Sequence, residues 1–283
     1  MSEGRRASKT RVRITQVTGE TSARCQDWVA TEEPLEIRVF DAGSGDQILT
    51  HITMRTPGSD FDLAAGFLLS EGIIRQANQV TEMEFCVGPG NRMQQLFNIV
   101  SVRIRDPETS GINGDRLRTV TSACGVCGKA SLDDIALRGV LPIETDRTVP
   151  ISTILALPDA LLGRQALFAA TGGLHGAAFA TADGEILAVR EDVGRHNAVD
   201  KLLGWQLLQP ETIAADILVV SGRQSFELAQ KAVVGRIPIL MGVSAPSSLA
   251  IDLATEFGLT LIGFARDDRC NIYTHQARIT FDG

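Results

Sequence analysis

Apolar and polar residues alternate over residues 35–40, with Leu35, Ile37 and Val39 set against Glu36 and Arg38, and again over 48–54. A period of two marks a strand with one buried face. The turn-forming stretch between them, Asp41-Ala42-Gly43-Ser44-Gly45-Asp46, joins the two into a hairpin. A helical pattern follows, in which Asp60 is placed to cap a short helix through Leu69 that ends at Glu71-Gly72. Strand patterns return over 83–87 and 96–104, and 106–115 is rich in turn residues.

The second half changes character. A helix is expected over 158–170, breaking at Gly172-Gly173, then strands over 177–180 and 186–189 around the turn Asp183-Gly184, then a helix over 196–208. Strand (217–220), helix (226–234), strand (238–243), helix (247–257) and strand (259–264) complete it. Such alternation predicts a parallel sheet with helices on its faces. Ligands of such sheets gather at the carboxyl ends of the strands.

Composition bounds the picture. At 283 residues the chain holds one large domain or two modest ones, and 44% hydrophobic with 22% charged residues reads as soluble and globular. No apolar run approaches the ~18–20 residues that span a membrane. No apolar stretch follows Arg5-Arg6, so a secretion signal is not expected. Five scattered cysteines argue against a secreted disulfide framework and make the cytoplasm the expected compartment. The net charge is −7, yet the first thirteen residues carry five basic groups and one acidic one, leaving a body of 22 basic against 33 acidic residues. That body is no nucleic-acid surface. The basic end is read as a mobile, solvated tail.

Candidate chemistry centres on Cys124-Gly125-Val126-Cys127, in a polar, glycine-punctuated loop at the mouth of a helical pattern. Backbone N–H groups, the helix dipole and Lys129 favour a thiolate there, the species that attacks sulfur or binds metal. Cys25, Cys86 and Cys270 have no partner spacing and are read as inert. Three predicted strand ends are also polar: Ser221-Gly222-Arg223, Ser244-Ala245-Pro246-Ser247-Ser248, and Ala265-Arg266-Asp267-Asp268-Arg269. Each taken alone is an ordinary helix cap; together, on one sheet edge, they suit a phosphate-bearing ligand. Glu191-Asp192-Val193-Gly194-Arg195-His196-Asn197 is the densest polar stretch, either contacting ligand or capping the next helix. His175 follows paired glycines that let backbone come close, though a lone histidine at a strand start is more often structural.

Three chemistries compete for the thiol pair. Zinc needs three or four ligands, and His175 is followed by Gly176-Ala177 without the acid of the H-x-E motif of zinc deaminases. A dithiol–disulfide cycle belongs after the first strand of a compact fold, not past residue 120. Carriage of sulfur as a persulfide needs an exposed low-pKa thiol and a site for the acceptor. The residues themselves reach only thiol chemistry beside a phosphate-bearing ligand.

The chain resembles the FdhD family of formate dehydrogenase accessory sulfurtransferases. The resemblance rests on Thr121–Lys129, on Thr171-Gly172-Gly173-Leu174-His175, on Arg190-Glu191-Asp192-Val193-Gly194-Arg195-His196-Asn197-Ala198-Val199-Asp200-Lys201, and on the three strand-end segments, in order from about Glu33 to His275. It implies an α/β fold, with a cytidine-deaminase-like α/β/α C-terminal domain and a smaller β-rich N-terminal domain. The expected organisation is a tail (1–30), a β-rich subdomain (31–120), the cysteine loop and following helix (121–145), and the α/β domain (146–283). It implies a homodimer that takes sulfur from a cysteine desulfurase and passes it, as a persulfide on Cys124 with Cys127 assisting, to the bis-molybdopterin guanine dinucleotide of formate dehydrogenase. The family's cofactor segment falls on Phe264, Ala265, Arg266, Asp267, Asp268 and Arg269. The cofactor's phosphates would account for the polar strand ends with Ser221, Gly222 and Ser244, held by Arg223, Arg266 and Arg269, while Asp192 and His196 would position the pterin or guanine and His175 is a further cofactor-binding candidate. No structural metal, nucleic acid or membrane is expected. The rival reading is a chaperone that delivers the cofactor without covalent sulfur chemistry.

Overall fold

A computed structural model describes residues 7–87, 95–107, 139–211 and 213–281. Cys124, Cys127 and the helix expected after them lie outside the described residues. The elements run β1 (Lys9–Thr18), β2 (Thr21–Ala30), β3 (Glu33–Asp41), β4 (Gln47–Arg55), α1 (Asp60–Ser70), β5 (Val80–Val87), β6 (Gln95–Ile104), β7 (Val149–Pro150), α2 (Ile151–Leu162) and α3 (Ala166–Thr171). They continue with β8 (His175–Ala180), β9 (Ile186–Asp192), α4 (Arg195–Leu207), β10 (Ile217–Val220), α5 (Phe226–Val234), β11 (Ile239–Gly242), α6 (Ser248–Glu256), β12 (Thr260–Arg266), β13 (Arg269–Ile272) and β14 (Ile279–Thr280).

The six-stranded sheet has the order β13-β12-β11-β10-β8-β9. Only β10, β11 and β12 are mutually parallel; β8, β9 and β13 run antiparallel to their neighbours, so the expected parallel sheet is a mixed one. Alternation sorts its side chains into two cores. Leu218, Val220, Leu240 and Leu261 pack towards α4, α5 and α6, while Ile217, Val219, Ile239, Met241 and Ile262 pack towards α2. Residues buried on both faces make these strands near-continuous apolar runs.

A second sheet, β4-β3-β6-β5, buries Leu35, Ile37, Val39, Val100 and Val102 against Leu63, Ala64, Phe67 and Leu68 of α1. The other side of α1 lies on α4. Gly66 and Gly204 set the spacing there: a Cβ on Gly66 would come within 1.8 Å of the Asp200 carbonyl oxygen, and one on Gly204 within 1.8 Å of that of Asp62. Beside this crossing, Lys231 of α5 donates to Asp200 (2.7 Å) and to Ser70 (2.9 Å), closing a buried triad across three helices.

Three further expectations change. The basic tail is a structured hairpin over its described part: β1 and β2 pair in register from Lys9↔Ala30 to Thr18↔Thr21. Cross-strand pairing and the stacking of Lys9 and Arg11 over Trp28 (4.8 and 5.1 Å) order it, which a count of charges does not see. The helix expected over 158–170 is two helices, α2 and α3, with Pro158 inside α2. Burial of Ile154, Leu157 and Leu161 on one stripe overrides the usual placement of proline in a helix's first turn. Asp60 is the first helical residue after the N-cap Ser59, and its carboxylate takes a buried ion pair from Arg55 (3.0 Å).

Gly66→Ala should destabilise the protein by about 2–3 kcal/mol, because backbone rather than a flexible side chain must move. Gly163→Ala, whose Cβ would be in ordinary contact at 3.4 Å, should stay within about 0.5 kcal/mol. Denaturant unfolding of both variants compares the two, and equal midpoints would show that the crossing does not set the packing.

Candidate functional site

The strands β10, β11 and β12 end on one edge of the sheet, as their parallel pairing requires. The loops after β10 and β11 are stitched together there: the Gln224 N–H donates to the Ala245 carbonyl (3.1 Å), and the Ser247 N–H to the Gln224 carbonyl (2.9 Å). Below them the Gln224 amide, 1% exposed, donates to the Ile262 carbonyl (2.6 Å). Three strand ends thus form one rigid rim.

A cavity of about 580 Å³ opens beside this rim. One wall comes from α2 and α3 and includes Leu161, Leu162, Gln165 and Phe168; the other carries His175, Ser221, Arg266 and Asp267. Its size suits a small organic ligand, and its apolar wall faces a few convergent polar groups. Glycine makes the approach of α3 possible: a Cβ on Gly176 would lie 2.4 Å from the Gln165 amide carbon. Glu191, on the adjacent strand, accepts from the N–H groups of Leu167 (2.9 Å) and Phe168 (2.7 Å), capping α3 from outside its own segment.

His175 opens β8 and stands over bare backbone, its Nδ1 3.3 Å from where a Gly222 Cβ would be. Burial holds the imidazole below its ordinary pKa, with the neighbouring Arg195, His196 and Arg223 charges adding to the effect, so His175 is neutral at pH 7. Ser221 holds the same strand from β10: its hydroxyl accepts from the Gly176 N–H (2.9 Å). His196 sits in the first turn of α4, 3.1 Å from the Ser225 hydroxyl and 3.7 Å from the Glu227 carboxylate of α5. The His196 ring pulls the Glu227 pKa down from 4.5 to about 2.

The segment 264–269 is the end of β12 and a tight turn into β13 rather than a strand-to-helix loop. Phe264 takes a left-handed backbone (φ 54°), at a register shift between Gly263 and Arg266, and its N–H donates to the Ser244 carbonyl (3.1 Å). Such a conformation is costly for an aromatic residue and persists only where its surroundings fix it. It turns Arg266 and Asp267 to the cavity. Ala265 is packed in the core, Asp268 and Arg269 are exposed on the turn, and Ser244 contributes its carbonyl rather than a side chain to this edge.

Asp192 departs from its expected role. It is 0% exposed, and its carboxylate is consumed within the fold. Lys201 Nζ lies 2.6 Å away, and the N–H groups of Thr56 (3.1 Å) and Gly194 (2.8 Å) and the Asn197 amide (3.2 Å) donate to it. Thr56 follows β4, so this carboxylate ties the β-rich half to the α/β half rather than facing a ligand. Arg190 and Asp62 make a second tie at 3.0 Å. Much of the dense polar stretch is therefore structural. The residues missed from sequence are Gln165, Phe168 and the α2 wall, whose amphipathic pattern reads as plain core.

Comparison with known proteins places the chain. The FdhD/NarQ family profile matches residues 30–280. The chain is 48% identical over 273 residues to the "Sulfur carrier protein FdhD" of Nocardia farcinica, covering 95% of this chain and 94% of that one. It is 47% identical over 278 residues to the protein of the same name from Mycolicibacterium paratuberculosis, covering 95% and 98%. A crystal structure described as that of a formate dehydrogenase accessory protein from Desulfotalea psychrophila matches with a TM-score of 0.72 at 25% identity, over 96% of this chain and 99% of that one. This chain belongs to the FdhD/NarQ family. Among the described residues, no helix is long and apolar enough to cross a membrane.

Asp192→Asn leaves Lys201 buried without its counter-charge and should cost about 3–5 kcal/mol in denaturant unfolding; a cost under 1 kcal/mol would remove its role as the tie. Glu227 should titrate near 2 by NMR and return towards 4.5 in His196→Gln. Because its folded pKa is depressed, its contribution to stability is complete above about 4.5 and fades as pH falls towards about 2.

Proposed function

We propose that this protein is a sulfurtransferase that carries sulfur as a persulfide on Cys124, from a cysteine desulfurase to the bis-molybdopterin guanine dinucleotide used by formate dehydrogenase. The observation that carries the reading is the kinship: relatives nearly half identical over 95% of the chain are named sulfur carriers, and a structural neighbour is described as a formate dehydrogenase accessory protein. The thiol pair of the sequence supplies the chemistry. The Cys124 thiolate attacks the outer sulfur of the desulfurase persulfide; that S–S bond breaks, the desulfurase thiolate leaves, and a persulfide stands on Cys124.

The cavity supports the acceptor half. A dinucleotide presents phosphates and flat heterocycles, and the cavity offers basic and hydroxyl groups on one wall and an apolar surface on the other. Arg266 meets a phosphate; His175 and Ser221 line the approach. The protein works as a homodimer in the cytoplasm, and its α/β/α part shares the cytidine-deaminase arrangement without the deaminase acid.

Incubation with a cysteine desulfurase and sulfur-labelled cysteine tests the covalent step. Labile, cyanide-released sulfur should load onto the wild-type chain and be lost, by at least tenfold, in Cys124→Ala. No labile sulfur on either thiol, together with full activation of formate dehydrogenase by Cys124→Ala, would leave a chaperone that delivers the cofactor by binding alone.

A further inference from the structure

We propose that the β1–β2 hairpin is an arm that packs across a second copy of this chain, with its basic face on the acidic body of that copy. The inference rests on the reading of the protein as a homodimer, and it assigns the element through which the two copies hold each other.

The hairpin projects from the fold. Not one residue of its two strands is buried. Ten residues of strand reach roughly 33 Å. Among the described residues, the hydrogen bonds that fasten it to the rest lie at its base. There the Ser8 hydroxyl donates to the Pro57 carbonyl (2.7 Å), and the Thr31 N–H to the Ser8 carbonyl (3.0 Å). A two-stranded ribbon is marginally stable in water unless a further element packs on it. Here its own chain leaves it open, with Val17 67%, Val29 38% and Trp28 36% exposed. Its cover therefore comes from another molecule.

The strand register says which cover fits. Directly opposed residues share a face, so Lys9, Arg11, Arg13 and Arg24 stand on one side together with Trp28. Asp27, opposite Val12, points to the other side, and no strand carboxylate shares the basic face. Residues 31–283 hold 21 basic against 31 acidic residues, so the chain itself offers the complementary charge. Two arms laid edge to edge would instead set four cations beside four more.

A landing surface lies close to the root of the arm. Pro34, near the start of β3, pairs with Met54, and Met54 and Ile52 lie on the sheet face turned away from α1, 47% and 53% exposed. Glu36 and Glu84 share that face by register. A two-fold axis beside the root lets each arm cross the open face of the other copy, so one self-complementary patch serves both.

Sedimentation of the full chain tests the arm. The wild type should dimerise at micromolar concentration. Arg13→Glu with Arg24→Glu, which leaves Lys9 and Arg11 stacked on Trp28, should raise the dissociation constant by about tenfold or more. Arg13→Lys with Arg24→Lys keeps the charge and should dimerise as the wild type does. Zero-length carbodiimide coupling adds a readout that a folding defect does not mimic. In a mixture of isotope-labelled and unlabelled chains, it should join the Lys9 amine to a carboxylate of the other copy. A monomeric wild type would overturn the arm and the homodimer together. An unchanged dissociation constant in the double reversal, or Lys9 coupled only within its own chain, would overturn the arm and leave the homodimer standing.

Discussion

Two helices that meet backbone to backbone set the frame of this protein. With Gly66 against Asp200 and Gly204 against Asp62, α1 and α4 sit closer than any side chain between them would allow. Short separation brings Ser70 of α1 within 2.8 Å of the Asp200 carboxylate on α4, and neighbouring elements add further polar ties. Ser70, Asp200 and Lys231 close a triad at one end, while Arg190 and Asp62 pair near the other. Buried charges like these add little net stability against a well-packed apolar alternative, but they penalise any arrangement that leaves one partner alone. They fix how the halves sit more than how strongly they adhere.

The frame has its functional consequence at the first turn of α4. Asp192 and Lys201 bind the chain just before that helix to Thr56, so the turn carrying Arg195 and His196 is held by the β-rich half. His196 then reaches Ser225 at the head of α5. The cavity edge is positioned from both sides: by the parallel strands that end there, and by a helix whose place is set through α1. Rigid support of this kind is what a ligand site requires.

The strand patterns of the first half and the strand–helix alternation of the second gave boundaries close to those observed, since burial on one face or on both writes its period directly into the residues. The helix at α5 matches its expected range residue for residue. The α2–α3 region was misplaced, because Pro158 gives a strong local start signal while the stripe Ile154, Leu157 and Leu161 is recognised only against the sheet it covers. From sequence the hairpin of β1 and β2 reads as a tail, since its charges outweigh its alternation when strand pairing is unseen. Among site residues, His175, Ser221, Arg266 and Asp267 were legible as polar groups at strand ends and do line the cavity. Asp192 was equally polar in sequence and proved a buried tie, because residue type says nothing about what a carboxylate faces.

The sequence by itself determined the periodicities, the thiol pair, the order of the polar strand ends and the family. Those are properties of local chemistry and spacing, and they survive without coordinates. Only the tertiary structure decided that the sheet is mixed, that α2 and α3 wall the cavity, that Asp192 is structural, and that His175 stands over Gly222. Each of these depends on residues far apart in the chain meeting through a bare glycine or a buried charge, and a one-dimensional pattern carries no distance between them.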